Sequence, residues 1–317
     1  MTEPAPSAGV HLPWAQVPEH VRAWAAGLGR GSVDRVSDLA GGFSPGATSR
    51  LHFSEGADVF VKAVGLDLNP ESPTLHRREG VVASVLPALP FLPRFIDAYD
   101  DEDWVALAFE AIDGQLPGRP WEPAQLSAAV EALVSMHDAL TPSPSSVIPP
   151  AAERFAPLFG CWRLLAEASV PPEGLDAWST RHLDQLSELE SGWTAASVGT
   201  TLLHGDLRSD NMLVTGDGRI VVIDWPHAAV GAPILDVVCW APSVVLEGGP
   251  LPEELLASHQ NWRQVDQDAV AVLVAAVAGF FIEHSLRPAP PGLPTLRAFQ
   301  AAQGEVARAW LERITAW

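Results

Sequence analysis

LLHGDLRSDN (residues 202–211) runs directly into NMLVTGDGRIVVIDW (residues 211–225). The second stretch reads as a β-hairpin with GDG at its turn. A short loop followed by a hairpin brings Asp206, Asn211 and Asp224 together without distant contacts. Two carboxylates and an amide oxygen are hard ligands that suit Mg²⁺, which keeps open positions for phosphate oxygens. No thiolate is offered and only one histidine, His204, is near, so the set does not suit zinc. Turn formation accounts for Asp210 and Asp217. Asp224 differs, because it follows four apolar residues and precedes Trp225. A half-buried carboxylate without a partner is costly, and a cation offsets that cost.

Upstream, GADVFVKAVG (residues 56–65) contains Lys62, the one lysine in a chain that otherwise uses arginine. SRLHF (49–53) and DVFVKAV (58–64) read as strands joined by the turn SEGA, a hairpin. Residues 72–86 read as a helix with Ser72 as cap, Pro73 in the first turn and Pro87 beyond the end. Val81, Val82, Val85 and Leu86 make an apolar stripe at helical spacing on it. FIDAYD (95–100) and WVALAFEAI (104–112) read as two further strands, and residues 113–120 as a turn-rich connector. Helical patterns cover 123–140, 151–168, 175–196, 253–264, 266–285 and 294–316, with 18–29 as a short N-terminal helix and 141–150 as a loop. There are no internal repeats. The fold class is α+β, with a β-rich part at 1–113 and a mainly helical part at 114–317.

The 317 residues carry 39 acids and 19 Lys and Arg, a net of −20. So acidic a surface repels phosphate backbones and argues against nucleic acid or an anionic membrane as partner, while it suits cationic small ligands. Two cysteines, Cys161 and Cys239, do not make a disulfide framework. The first residues show no secretory pattern. The apolar run at 269–282 is shorter than the roughly 20 residues needed to span a bilayer and reads as a core helix. A cytoplasmic protein is expected.

His-Gly-Asp, then Asn five residues after the Asp, then a hairpin ending in Ile-Asp-Trp, resembles the aminoglycoside phosphotransferase family. That family is a small-molecule branch of the protein-kinase-like fold, so the resemblance implies two lobes, a small antiparallel sheet with one helix and a larger helical part. It implies transfer of the γ-phosphoryl of ATP, or another nucleoside triphosphate, to a hydroxyl of a small molecule. Asp206 would orient the attacking hydroxyl, and Asn211 and Asp224 would hold Mg²⁺. Arg208 would either stabilise the transferred phosphoryl or form a surface ion pair. His204 would support the loop, and Asp236 in GAPILDVV would brace it. Lys62 would contact the α/β-phosphates, held by Glu79 on the following helix in preference to Glu55 or Glu71, which lie in turns. A lysine ammonium is a compact point charge that an arginine fork does not replace.

Before the hairpin, LAGGFSPGATSRLHF offers Gly41, Gly42, Ser44 and Gly46 for contacts to phosphates. It is not a Walker A loop, which needs Gly-Lys-Ser/Thr. Its Gly-x-Ser-x-Gly pattern is not a hydrolase elbow, because Pro45 has no N–H to complete an oxyanion hole. By the same resemblance Phe109 lines the back of the adenine site, and the Glu110 carbonyl and Ile112 N–H bind the base. The acceptor pocket falls to the helices between 151 and 196 and after 253, which carry Glu153, Glu167, Asp176 and Glu283. Aminoglycosides, macrolides, other antibiotics, choline, homoserine and sugars all remain candidate acceptors. The alternative of another class is a nucleotide-binding regulator without transfer activity, for which the base Asp206 would have little use.

Overall fold

The computed structural model describes residues 11–39, 45–169, 173–290 and 293–317. Helix α1 (Glu19–Ala26) precedes strands β1 (Arg30–Asp38), β2 (Ala47–Glu55) and β3 (Val59–Gly65), then helix α2 (Ser72–Val85) and strands β4 (Phe95–Asp100) and β5 (Trp104–Glu110). The five strands form one antiparallel sheet in the order β1-β2-β3-β5-β4. Strand alternation sends successive side chains to opposite faces. Val59, Val61 and Ala63 of β3, with Ala106 and Ala108 of β5, therefore pack under Trp14, Val17 and the α1 residues Val21 and Ala25. The intervening Lys62 points the other way, to the face where Phe60, Leu107 and Phe109 meet Ala83 of α2. A cation in this apolar strand thus never enters the apolar layer on the α1 side.

Helix α2 turns Ser72, His76, Glu79 and Ala83 inward at three- and four-residue spacing, so its buried face is partly polar. The stripe read from the sequence is wrong in part, since Val81 faces solvent and only Val82 is buried. The cap also differs. Asn69 Oδ1 accepts from the N–H groups of Glu71 and Ser72 at 2.9 and 3.0 Å, while Ser72 begins the helix. The polar strand β1 was not expected.

Beyond β5 come β6 (Gly114–Gln115) and helices α3 (Pro123–Ala139), α4 (Ala151–Arg154), α5 (Cys161–Glu167), α6 (Ala177–Arg181), α7 (Leu183–Glu190) and α8 (Trp193–Ala196). The two long helices expected at 151–168 and 175–196 are broken into these shorter pieces. Gly160, at φ +93°, interrupts the first, and the Asp176 side chain caps α6 by accepting from Trp178 N and Ser179 N. Strands β7 (Thr201–Leu203), β8 (Met212–Thr215), β9 (Ile220–Val222) and β10 (Ala229–Gly231) follow, then α9 (Ile234–Leu246), α10 (Pro252–Ser258), α11 (Gln260–Arg263), α12 (Gln267–Ser285) and α13 (Leu296–Thr315). Strands β8 and β9 are the expected hairpin, with β6 added at its edge. Strands β7 and β10 pair across the base of the loop at 204–211.

Of the described helices, α12 is long and apolar enough to cross a membrane by length and composition. In this fold it is a core element: Leu273, Val274, Ala275 and Ala276 are fully enclosed, and Trp162 Nε1 donates to Ala275 O at 2.8 Å.

Candidate active site

The loop at 204–211 is held from below. Asp236, in the first turn of α9, has no exposed surface and accepts three hydrogen bonds. His204 N donates to Oδ2 at 2.9 Å, Gly205 N to Oδ1 at 2.8 Å, and His137 Nε2 lies 3.0 Å from Oδ2. Burial works against this charge, but the His137 bond and the loop N–H groups hold the carboxyl below its usual range. Gly205 has φ +81°, and a Cβ there would sit 2.4 Å from the His227 carbonyl, so only glycine fits. The bond of Asp206 N to His204 Nδ1 at 3.2 Å makes Nδ1 the acceptor. Nε2 then carries the hydrogen and donates to Ile223 O at 2.9 Å. His204 is accordingly a strut between the loop and the residue before Asp224.

Asn211 Nδ2 donates to Asp206 O at 2.7 Å, which leaves Oδ1 as the end of the amide not engaged by the loop. Arg208 Nη1 lies 2.7 and 2.9 Å from the two Asp206 oxygens, and its Nε donates to Asp210 at 2.9 Å. Its guanidinium also sits 5.4 Å over the Phe299 ring. Burial opposes the guanidinium charge, yet Asp206 and Asp210 outweigh it and raise its pKa. Arg208 is thus an ion-pair partner of the candidate base, and the pair is largely enclosed rather than on the surface. Asp210, read from sequence as a turn residue, is the third member.

Lys62 joins the two halves of the site. Its Nζ forms an ion pair with Glu79 and a second, at 2.7 Å, with Asp224 Oδ1. Glu55 and Glu71 take no part in it. Burial disfavours the ammonium, but Asp224 and Glu79 together raise its pKa. Burial pushes Glu79 up to about 7, with Lys62 pulling against it. Asp224 has burial against it too, and the Lys62 charge holds its carboxyl well below the usual range. Asp224 also sits at φ +69°, unusual for a residue with a side chain. Such strain costs of order 1–3 kcal/mol and persists only where the surroundings fix it.

Gly42 and Ser44, with Gly41, lie outside the described residues. Gly46 needs to be glycine for a reason of packing: at φ +131° its Cβ would fall 2.4 Å from Ala63 O, one residue past Lys62. Phe109 lies behind Lys62, 6.0 Å from ring centre to Nζ, and meets Phe95 edge-on. Glu110 Oε1 accepts from Arg94 N at 2.9 Å. Glu110 and Ile112 line a cavity of about 450 Å³ with Leu92, Asp217, Arg219 and Val221. That cavity is bordered by the turn of the β8–β9 hairpin and does not include Lys62, Asp206 or Asp224.

One set of residues escaped the sequence reading. Glu247, buried at the end of α9, accepts from Ser209 Oγ at 2.5 Å and Trp121 Nε1 at 3.1 Å, and pairs with Arg119 at 2.9 Å. Arg119 also donates to Ser209 Oγ at 2.9 Å. These residues tie the connector after β6 to the turn between Asp206 and Asn211. They are far apart in sequence and carry no spacing signal.

A five-stranded sheet whose lysine reaches a helix glutamate, over a helical part whose loop and hairpin present Asp, Asn and Asp, defines a protein-kinase-like phosphotransferase. The sequence profile of the phosphotransferase enzyme family matches residues 51–278, and the chain belongs to that family. No curated protein matches the sequence. Among solved structures, a thermostable mutant of aminoglycoside phosphotransferase APH(4)-Ia with ADP and hygromycin B is 16% identical, with 94% of this chain and 99% of that one covered and a TM-score of 0.60. Choline kinase LicA from Streptococcus pneumoniae is 15% identical, with 92% and 98% covered and a TM-score of 0.60. An aminoglycoside-3'-phosphotransferase of type VIII is 24% identical, with 83% and 100% covered and a TM-score of 0.54. At these identities the likeness establishes the fold.

Proposed function

We propose that this protein is a small-molecule kinase that moves the γ-phosphoryl of ATP to a hydroxyl of its acceptor. The observation that carries the reading is the Lys62–Asp224 contact at 2.7 Å across 162 residues, which supports a single cleft formed by Glu79, Lys62, Asp224, Asn211 and Asp206. We place the boundary between the two lobes at residues 113 and 114, so that the cleft falls between them. Asp224 and the Asn211 amide oxygen fit Mg²⁺ as hard oxygen donors, and Asp224 is held charged beside Lys62. When bound, the ion would neutralise charge on the phosphates.

Lys62 exchanges its Asp224 contact for the phosphates while Glu79 keeps its ammonium in place. Asp206, fixed through His204 and Asp236, accepts a hydrogen bond from the acceptor hydroxyl and takes its proton as the phosphoryl leaves ADP. Arg208 occupies one side of both Asp206 oxygens, so the acceptor approaches on the other. Rate enhancement comes from positioning and from charge neutralisation by Lys62 and Arg208. Phe109, Glu110 and Ile112 border the adenine. The acceptor is a hydroxylated small molecule. Hygromycin B in one solved relative and choline kinase activity in the name of another support a cationic acceptor as the first class to try.

The test is ATP consumption that requires both Mg²⁺ and a member of a panel of hydroxylated amines and sugars. ATP binding with no transfer to any acceptor, and no change with Asp206→Asn, would return the non-catalytic regulator as the better reading.

A further inference from the structure

Away from the cleft, the first turn of α5 meets the last turn of α12. Cys161 Sγ lies 4.0 Å from Glu283 Oε2 and 4.0 Å from His284 Nδ1, and the last two atoms are 3.1 Å apart. Zinc–ligand bonds of about 2.3 Å to sulfur and about 2.0 Å to nitrogen or oxygen, at tetrahedral angles, give ligand separations of about 3.6, 3.5 and 3.3 Å. The observed triangle differs from that by no more than about half an ångström. Cys161 and His284 are buried, and Glu283 is half-buried.

We propose that Cys161, Glu283 and His284 form a binding site for a zinc-class divalent cation, distinct from the oxygen-donor set at Asn211 and Asp224. A thiolate with an imidazole selects a borderline-soft ion where amide and carboxylate oxygens select a hard one. Glu190 is not a fourth ligand: its two oxygens accept from the backbone N–H groups of Gly160, Cys161, Trp162 and Arg163, at 2.9–3.4 Å. The fourth position belongs to water.

Each ligand has a present partner to give up or share. His284 Nδ1 lies 3.0 Å from Phe280 O, which keeps its own helical hydrogen bond when the imidazole turns to the metal. The Nδ1 hydrogen moves to Nε2. Arg287 contacts both Glu283 oxygens, at 3.0 Å from Oε1 and 2.7 Å from Oε2, and retains Oε1 when Oε2 takes the ion. Cys161 Sγ gives up its hydrogen bond to Leu158 O at 3.2 Å, and its proton leaves to solvent as the metal enters. Burial, with Glu283 and Glu190 beside it, pushes that thiol up to about 12, so the sulfur is a thiol until a cation arrives. A bound cation reverses that preference. The ion would clip α5 to α12. The clip adjoins Phe280, whose ring lies 4.5 Å from His284 and 4.9 Å from Phe281, itself in edge contact with the Phe299 that covers Arg208.

The full-length protein, reduced and free of metal, is titrated with Co²⁺ and then with Zn²⁺. One equivalent of Co²⁺ should give a thiolate-to-metal charge-transfer band that Zn²⁺ bleaches. The cleft ligands contain no sulfur and cannot produce it. Cys161→Ser should abolish the band, His284→Gln should weaken Co²⁺ binding about tenfold or more, and Cys239→Ser should leave it unchanged. Each variant's melting curve without metal verifies folding. No band in the wild type, a band that survives Cys161→Ser, or one that depends on Cys239 would overturn the assignment.

Discussion

Lys62→Met removes the cation that stands between two carboxylates. Glu79 is almost fully buried, and breaking a buried ion pair costs about 3–5 kcal/mol because the partner charge is left behind. Glu79 has a way to limit that cost. Burial already places its pKa at about 7 with Lys62 present, and Lys62 is what pulls it down. Without Lys62 the value rises further, and Glu79 binds a proton at neutral pH. A carboxyl whose folded pKa lies above its unfolded value stabilises most at low pH, and the benefit is lost as pH rises toward the folded value. In the wild type that window closes near 7. In Lys62→Met it extends above 7, so stability keeps falling by up to about 1.36 kcal/mol per pH unit. The gap between variant and wild type should therefore widen by up to about 3 kcal/mol from pH 7 to pH 9. Urea denaturation at pH 6, 7, 8 and 9 measures it. Parallel stability curves would mean that Glu79 does not depend on Lys62, and the electrostatic account of the cleft would fail.

Asp236→Asn leaves one of three donors without an acceptor, at a cost of about 2–3 kcal/mol, and should lower the melting temperature by roughly 3–5 °C. Because Asp236 is depressed in the fold, its stabilising share is present above the ordinary aspartate pKa and lost as pH falls through the folded value. The variant should lose that part of the acid limb, and an unaltered acid limb would refute the brace. Glu247→Gln should speed hydrogen exchange at Asn211 N, which bonds Arg208 O at 3.1 Å, with a global cost of only about 1–2 kcal/mol. Unchanged exchange there would remove Glu247 from any role in positioning the loop.

The residues of the cleft were legible where one local segment carries them. Asp206, Asn211 and Asp224 sit on a loop and hairpin only nineteen positions long, and strand alternation fixes the face of Lys62. Glu79 followed because it lies on the next helix; Glu71 precedes that helix, and Glu55, expected in a turn, is instead the last residue of β2. Strand β1 was illegible because it is a polar edge whose side chains are exposed or half-buried. The inward face of α2 was misread because it buries His76 and Glu79, and an apolar stripe is blind to a polar face. The Arg119–Ser209–Glu247 set depends on tertiary contact alone. Arg208 was weighed as a phosphate ligand or a surface pair; its enclosure beside Asp206 and Asp210, with the Phe299 ring of α13 at 5.4 Å, is tertiary and not encoded in the loop sequence.

The central claim is phosphoryl transfer with Asp206 as base. The most direct measurement is mass spectrometry of a library of hydroxylated acceptors incubated with the protein, ATP and Mg²⁺. The account predicts an acceptor that gains one phosphoryl group with the wild type and loses nearly all of that product with Asp206→Asn, while the variant still binds ATP and melts like the wild type. Equal product from a folded Asp206→Asn would contradict it.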